Sequence, residues 1–125
     1  MKVIDASALL ALLNAEPGAT TVAAILEADA HVSTVNLAEV VGKLNDYGMS
    51  DDDIGETLDN LGLVVEAFTE EQALETGVLR KITREAGLSL GDRACLALAT
   101  LTESVAVTAD HRWENLTSVE LEFIR

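Results

Sequence analysis

The sequence predicts an α/β protein: a small, mainly parallel, twisted sheet flanked by helices on both faces. Two observations carry that prediction. Short apolar runs at residues 2–5, 31–35, 63–68, 105–108 and 118–123 alternate with segments of helical character, and such alternation builds parallel strands covered on both sides. Hydrophobic residues make up 49% of the chain but aromatic ones only 3%, so the core has to be built from Ala, Val, Leu and Ile. At 125 residues the chain is long enough for one compact domain, spanning residues 1–125, and too short to expect two.

Residues 2–5 run directly into Ala-Ser-Ala-Leu-Leu-Ala-Leu-Leu at 6–13, a helix-favouring run. Pro17 suits the start of a second helix, with Val22, Ile25 and Leu26 on one face and an end near Ala28. The β-rich stretch 31–35 precedes a third helix over 36–47, with Gly48 as its stop. Ser50 caps a fourth helix carrying Ile54, Leu58 and Leu61 at helical spacing. After the strand at 63–68, Thr69-Glu-Glu-Gln72 is spaced as a capping box and opens a long helix to about Ala86. Arg80 and Arg84 lie one turn apart on it, as on a solvated surface. Ser89-Leu-Gly-Asp92 opens the next helix; from Ala94 to Leu101 it is almost unbroken Ala, Cys and Leu, which reads as buried on every side. A strand at 105–108, a turn at 110–113 and a strand at 118–123 complete the pattern.

The net charge is −14, from 22 acids against eight bases, whereas nucleic-acid binders normally show the opposite balance. The excess keeps a protein dissolved, suits a high-salt environment, or meets a basic partner or a cation; composition does not choose among these. One cysteine excludes an internal disulfide, and no zinc-type cysteine spacing occurs, so a cytoplasmic protein is expected. The N-terminus has no charged-then-apolar pattern and no long apolar run follows, so neither secretion nor membrane insertion is expected.

Four acids fall at comparable places. Asp5 ends the first strand, Glu39 lies in the first turn of the helix after the second, Asp92 heads the apolar helix, and Asp110 follows the strand at 105–108. Each taken alone is explained as a cap or as a complement to a helix dipole; Asn36-Leu-Ala-Glu39 is itself spaced as a cap with an acid at the fourth place. Taken together, three of them sit at or just beyond the carboxyl edge of a parallel sheet, where open α/β folds bind ligands, and Asp92 reaches it from a helix N-terminus. Clustered, partly desolvated carboxylates take up protons unless a cation joins them. Mg²⁺ or Mn²⁺, hard ions that prefer oxygen, is the natural guest. Such a site performs phosphodiester hydrolysis without a histidine, and His31 and His111 read as structural or solvent-facing. Cys95 reads as a core residue. Arg93, Arg112 and Lys43 lie close to the acids in sequence and are candidates to hold a substrate phosphate.

Four blocks, Val-Ile-Asp-Ala-Ser-Ala-Leu-Leu at 3–10, Asn-Leu-Ala-Glu-Val-Val at 36–41, Leu-Ser-Leu-Gly-Asp-Arg-Ala-Cys-Leu-Ala-Leu-Ala at 88–99 and Val-Ala-Val-Thr-Ala-Asp-His-Arg-Trp at 105–113, together resemble the PIN domain, and more narrowly the VapC-type toxins of toxin–antitoxin pairs. They occur in the family's order and span nearly the whole chain. The resemblance implies a Mg²⁺- or Mn²⁺-dependent ribonuclease site at the carboxyl edge, with Asp5, Glu39, Asp92 and Asp110 as its acidic quartet and metal ligands. It implies that Ser7 and Thr108 support the acids, as hydroxyls beside metal ligands do. It further implies attack on RNA by metal-activated water, leaving a 5′-phosphate and a 3′-hydroxyl, a homodimer, and silencing by a cognate VapB-like antitoxin whose tail wraps the toxin. A basic tail would be drawn to the −14 surface. The stripes Val22/Ile25/Leu26 and Ile54/Leu58/Leu61 either offer that partner a groove or face the protein's own core.

Other classes fit less well. A phospho-acceptor receiver domain needs an adjacent acid pair after the first strand and a late lysine, but only Asp5 ends that strand and no lysine follows Lys81. A PIN nuclease of RNA processing, unpaired with an antitoxin, stays open. A non-catalytic binding scaffold is disfavoured by the intact quartet.

Overall fold

Five strands, β1 (Lys2–Ile4), β2 (Ala30–Ser33), β3 (Val64–Glu66), β4 (Val105–Thr108) and β5 (Leu121–Phe123), form one sheet in the order β3-β2-β1-β4-β5. Every pairing is parallel. The computed structural model describes residues 1–125. Because side chains alternate along a strand, β1 sends Val3 to one face and Ile4 to the other, and β4 does the same with Ala106 and Val107. On the Ile4 face lie α1 (Ala6–Leu13), α2 (Ala19–Ala28), α3 (Thr34–Asp46) and α4 (Asp51–Asp59). On the Val3 face lie α5 (Glu70–Val78), α6 (Arg80–Thr83) and α7 (Leu90–Leu101). The predicted parallel sheet with helices on both faces is the observed architecture.

Val22, Ile25 and Ile54 are buried in the Ile4-face core, with Leu26, Leu58 and Leu61 packed against it. Both helical stripes therefore face the protein's own interior. From Arg93 to Ala99, every residue of α7 is buried, as the unbroken apolar run predicts.

Several boundaries differ from the sequence expectation, each for a local reason. Pro17 precedes α2 rather than opening it; Gly18 caps the helix at φ +95°, where a Cβ would also overlap the Ile124 carbonyl. β2 stops at Ser33, whose hydroxyl accepts from the Val35 amide, so α3 begins two residues before Asn36 and Glu39 lies in its second turn. At the head of α5, the Thr69 hydroxyl caps the Gln72 amide, but the Gln72 side chain donates to the Ala67 carbonyl instead of returning to Thr69, so the capping box is only half made. The long helix expected to Ala86 is interrupted at Leu79, which is buried against α7 with ψ −17°. At the head of α7 both halves of the Ser89/Asp92 capping box are present.

Candidate active site

Asp5 follows β1 and caps α1, where its Oδ1 accepts from the Ala8 amide at 2.9 Å. The Ser7 hydroxyl donates to the same carboxylate at 2.8 Å and the Thr108 hydroxyl at 2.6 Å. Thr108 in turn accepts from the Asp110 amide, and Ser7 from the Ala109 amide, so these two hydroxyls knit the end of β1 to the end of β4. Asp5 is only 3% exposed. Burial raises its pKa to about 6 against the pull of these hydrogen bonds, and the Asp92 charge adds to the rise. A helix cap contributes about 1 kcal/mol, whereas a rise of that size costs roughly 3 kcal/mol once the group ionises. Capping alone does not account for a carboxylate in this place.

Glu39 projects from α3 toward the head of α7. The Asn36 amide, one turn earlier, donates to its Oε1 at 2.9 Å and to the Gly91 carbonyl at 2.9 Å, joining the two helices. Asn36 is 1% exposed and is a positioning residue that the sequence disguised as a helix cap; the Asn-x-x-Glu spacing was its signal. Gly91 matters for the same reason: a Cβ there would overlap the Glu39 carboxylate. Asp92, beside it, accepts from the Ser89 amide at 2.8 Å.

Asp110 caps the short 3-10 turn His111–Trp113 and grips Arg112. The guanidinium donates from Nη2 and Nε to Oδ2 at 2.6 and 2.9 Å, and from Nε to Oδ1 at 3.1 Å. Nη2 also lies 3.5 Å from Asp92 Oδ2. Arg112 holds the Asp110 carboxyl below its usual range and has its own pKa raised in return. Cys95, one turn into α7, is fully buried; burial pushes its thiol up, and the charges of Asp5, Asp92 and Glu39 push it further. Ser7 and Thr108 thus tie Asp5 to the Asp110 segment, Asn36 ties Glu39 to the head of α7, and Arg112 bridges Asp110 and Asp92.

The donor chemistry fits a hard divalent cation, since all four groups are oxygen ligands and one is buried at the cost just described. As the side chains stand, no three of them are grouped as a metal requires; Asp110 and one oxygen of Asp92 are turned onto Arg112. Of the three cations expected near the phosphate, only Lys43 is exposed and free of an ion pair. Arg112 is engaged with the acids. Arg93 corrects the expectation outright: it is 9% exposed and its Nη1 donates to the Thr76 carbonyl of α5 at 3.0 Å, so it faces the α5–α7 interface and not a ligand. His31 sits between Glu66 and Asp29 at the β2–β3 edge, away from the acids, and His111, next to Asp110 in the chain, stacks on Phe123.

Fold and site together define a small α/β protein with acids at the carboxyl edge of a parallel sheet. The PIN domain family matches residues 2–118, and the chain belongs to it. Nuclease activity is general in that family, and its nucleases generally use divalent metal ions. No curated protein matches the chain in sequence. Among solved structures, it is similar to a toxin–antitoxin complex from Klebsiella pneumoniae, with TM-score 0.77 and 19% identity over 100% of this chain and 98% of the other. It is also similar to DNA-bound VapBC from Salmonella typhimurium, with TM-score 0.74 and 16% identity over 99% and 98%. FitAcB from Neisseria gonorrhoeae aligns with TM-score 0.71 and 18% identity over 99% and 98%. At these identities the likeness is one of fold.

Proposed function

We propose that the chain is a Mg²⁺- or Mn²⁺-dependent endoribonuclease and the toxin half of a type II, VapBC-like pair. The observation that supports this reading is a PIN fold in which buried Asp5 ends β1, Glu39 is linked through Asn36 to the head of α7, and Arg112 bridges Asp92 and Asp110. Bound by these carboxylates, the cation supplies Lewis acidity toward a phosphate oxygen and a water of lowered pKa. The chain's own residues do the rest. Ser7 and Thr108 hold the Asp5 oxygens, Asn36 orients Glu39, and Ser89 fixes Asp92 at the helix head. Lys43, one turn beyond Glu39 on α3, receives the RNA backbone in this reading, which its exposure supports.

The antitoxin partner is supported by the toxin–antitoxin complexes among the structural neighbours and by the net charge of −14, which attracts a basic tail. A homodimer is supported by Leu74, Val78 and Ile82, exposed at four-residue spacing along α5 and α6. No helix is long and apolar enough to cross a membrane, and a cytoplasmic setting suits an RNA substrate.

RNA incubated with the protein and Mn²⁺ is expected to be cut to 5′-phosphate ends, with no cutting in chelator. Equal cutting in chelator overturns the mechanism. Growth arrest on expression, relieved by a small neighbouring reading frame, separates a toxin from a nuclease of RNA processing.

A further inference from the structure

Arg112 does more than pair with a neighbour. Its guanidinium spans Asp110 and Asp92, with Nε and Nη2 on the Asp110 oxygens and Nη2 also facing Asp92 Oδ2, while Nη1 donates to the Gly87 carbonyl at 3.1 Å. The Asp110 Oδ1 additionally accepts the Arg112 amide. Both oxygens of one predicted ligand and one oxygen of another are thus committed to a cation that belongs to the chain. The guanidinium is delocalised and weakly hydrated, which suits it to a site shared by two carboxylates.

The same side chain is 53% exposed and lines a cavity of about 530 Å³ beside the acids, with Ile82, Glu85, His111 and Glu114 among its other walls. The arginine therefore has somewhere to go, and two carboxylates waiting there to receive it.

We propose that Arg112 is the resident counter-ion of the acidic crevice, holding Asp92 and Asp110 together without metal and swinging into the adjoining cavity when a divalent cation takes its place. Arg112 is then a positioning residue that competes with the cation for two of its ligands. The guanidinium and a divalent ion cannot both draw on the same Asp110 oxygens at bonding distance, since each requires their lone pairs. The competition lowers the apparent metal affinity and keeps the metal-free acids from repelling one another. This inference rests on the metal-dependent reading above.

The test is titration of Mn²⁺ alone into wild type, Arg112→Ala and Arg112→Lys at low salt, followed by calorimetry and by the spin resonance of free Mn²⁺, with melting temperatures in chelator and in Mn²⁺. Arg112→Ala is expected to bind Mn²⁺ about tenfold more tightly, the scale of one charge-assisted pair, and Arg112→Lys to fall between. The alanine variant is expected to melt lower in chelator and to regain wild-type stability in Mn²⁺. Equal or weaker Mn²⁺ binding by Arg112→Ala, beside clear binding by wild type, overturns the counter-ion role and leaves the nuclease reading intact. A melting loss that Mn²⁺ does not restore identifies a fixed structural brace and also overturns it. Absence of Mn²⁺ uptake by all three proteins overturns the proposed metal-dependent function and this inference with it.

Discussion

At the scale of the residue, Asp5 carries the clearest tension between stability and site chemistry. Its carboxyl is held near pKa 6 by burial, against an ordinary 3.8. The folded state therefore binds the proton more tightly than the unfolded one, and stability falls as pH rises from about 3.8 to about 6, then stays level. Asp5→Asn, which does not titrate, is expected to be more stable than wild type in chelator by roughly 1–3 kcal/mol above that window. The gap between the two should close as pH drops through it, followed by urea denaturation. A variant less stable than wild type at neutral pH contradicts the account. Gly91 offers a second case. Gly91→Ala places a methyl against the Glu39 carboxylate, whose flexible end can shift, while alanine favours the helix by about 0.5–1 kcal/mol over glycine. Stability is expected to hold or rise and RNA cleavage to fall by on the order of 10- to 100-fold; unchanged cleavage would remove Glu39 from the site. The four acids stood out in the sequence because Asp5 and Asp110 follow strands, Asp92 heads a helix and Glu39 lies early in the helix after β2, where chain direction decides what a side chain faces. Gly91 did not, because its role rests on a contact between α3 and α7 that no local pattern encodes; the spacing of Asn36 and Glu39 showed a local pair but not its reach to α7.

At the scale of the element, the same distinction explains which boundaries were readable. The Ser50 and Ser89 caps satisfy nearby amides, so local chemistry sufficed. At residues 33–36 two capping types compete within one turn, and Ser33 prevails because β2 needs no further residue to pair with β3, whose last partner is Glu66. The break at Leu79 answers to tertiary packing: the residue is drawn into the core beneath α7, and helical propensity gives no warning of that. Arg93 was misplaced for a related cause. A charged residue next to a predicted ligand suggests a substrate contact, but the 3.6-residue period turns it toward α5. Its Nε has no hydrogen-bond partner, and replacing an unpaired buried cation by an apolar chain of similar volume is often neutral or stabilising. Arg93→Met is expected to keep wild-type stability within about 1 kcal/mol and to leave RNA cleavage unchanged. A selective loss of cleavage in the folded variant would return Arg93 to the phosphate.

At the scale of the whole molecule, the sheet order decides which acids share an edge. β1 lies at the centre with β2 and β4 on either side, so the acids following these three strands come to one edge although they are distant in sequence. Alternating apolar strands and helices made the parallel sheet legible. Strand order was not legible, since it depends on which crossovers pack and not on any one segment. The surplus of acids belongs to this scale too: apart from Arg112, which is internally engaged, the crevice has no arginine beside it to offset the carboxylates. The proposed metal binding and antitoxin attraction both draw on that imbalance. The central claim is that four carboxylates act as one unit. It is tested most directly by single-turnover RNA cleavage in Mn²⁺ by wild type, Asp5→Asn, Glu39→Gln, Asp92→Asn and Asp110→Asn, each checked for an unchanged fold by circular dichroism. All four variants are expected to lose cleavage by at least about 100-fold; a folded variant that cuts at the wild-type rate contradicts the account.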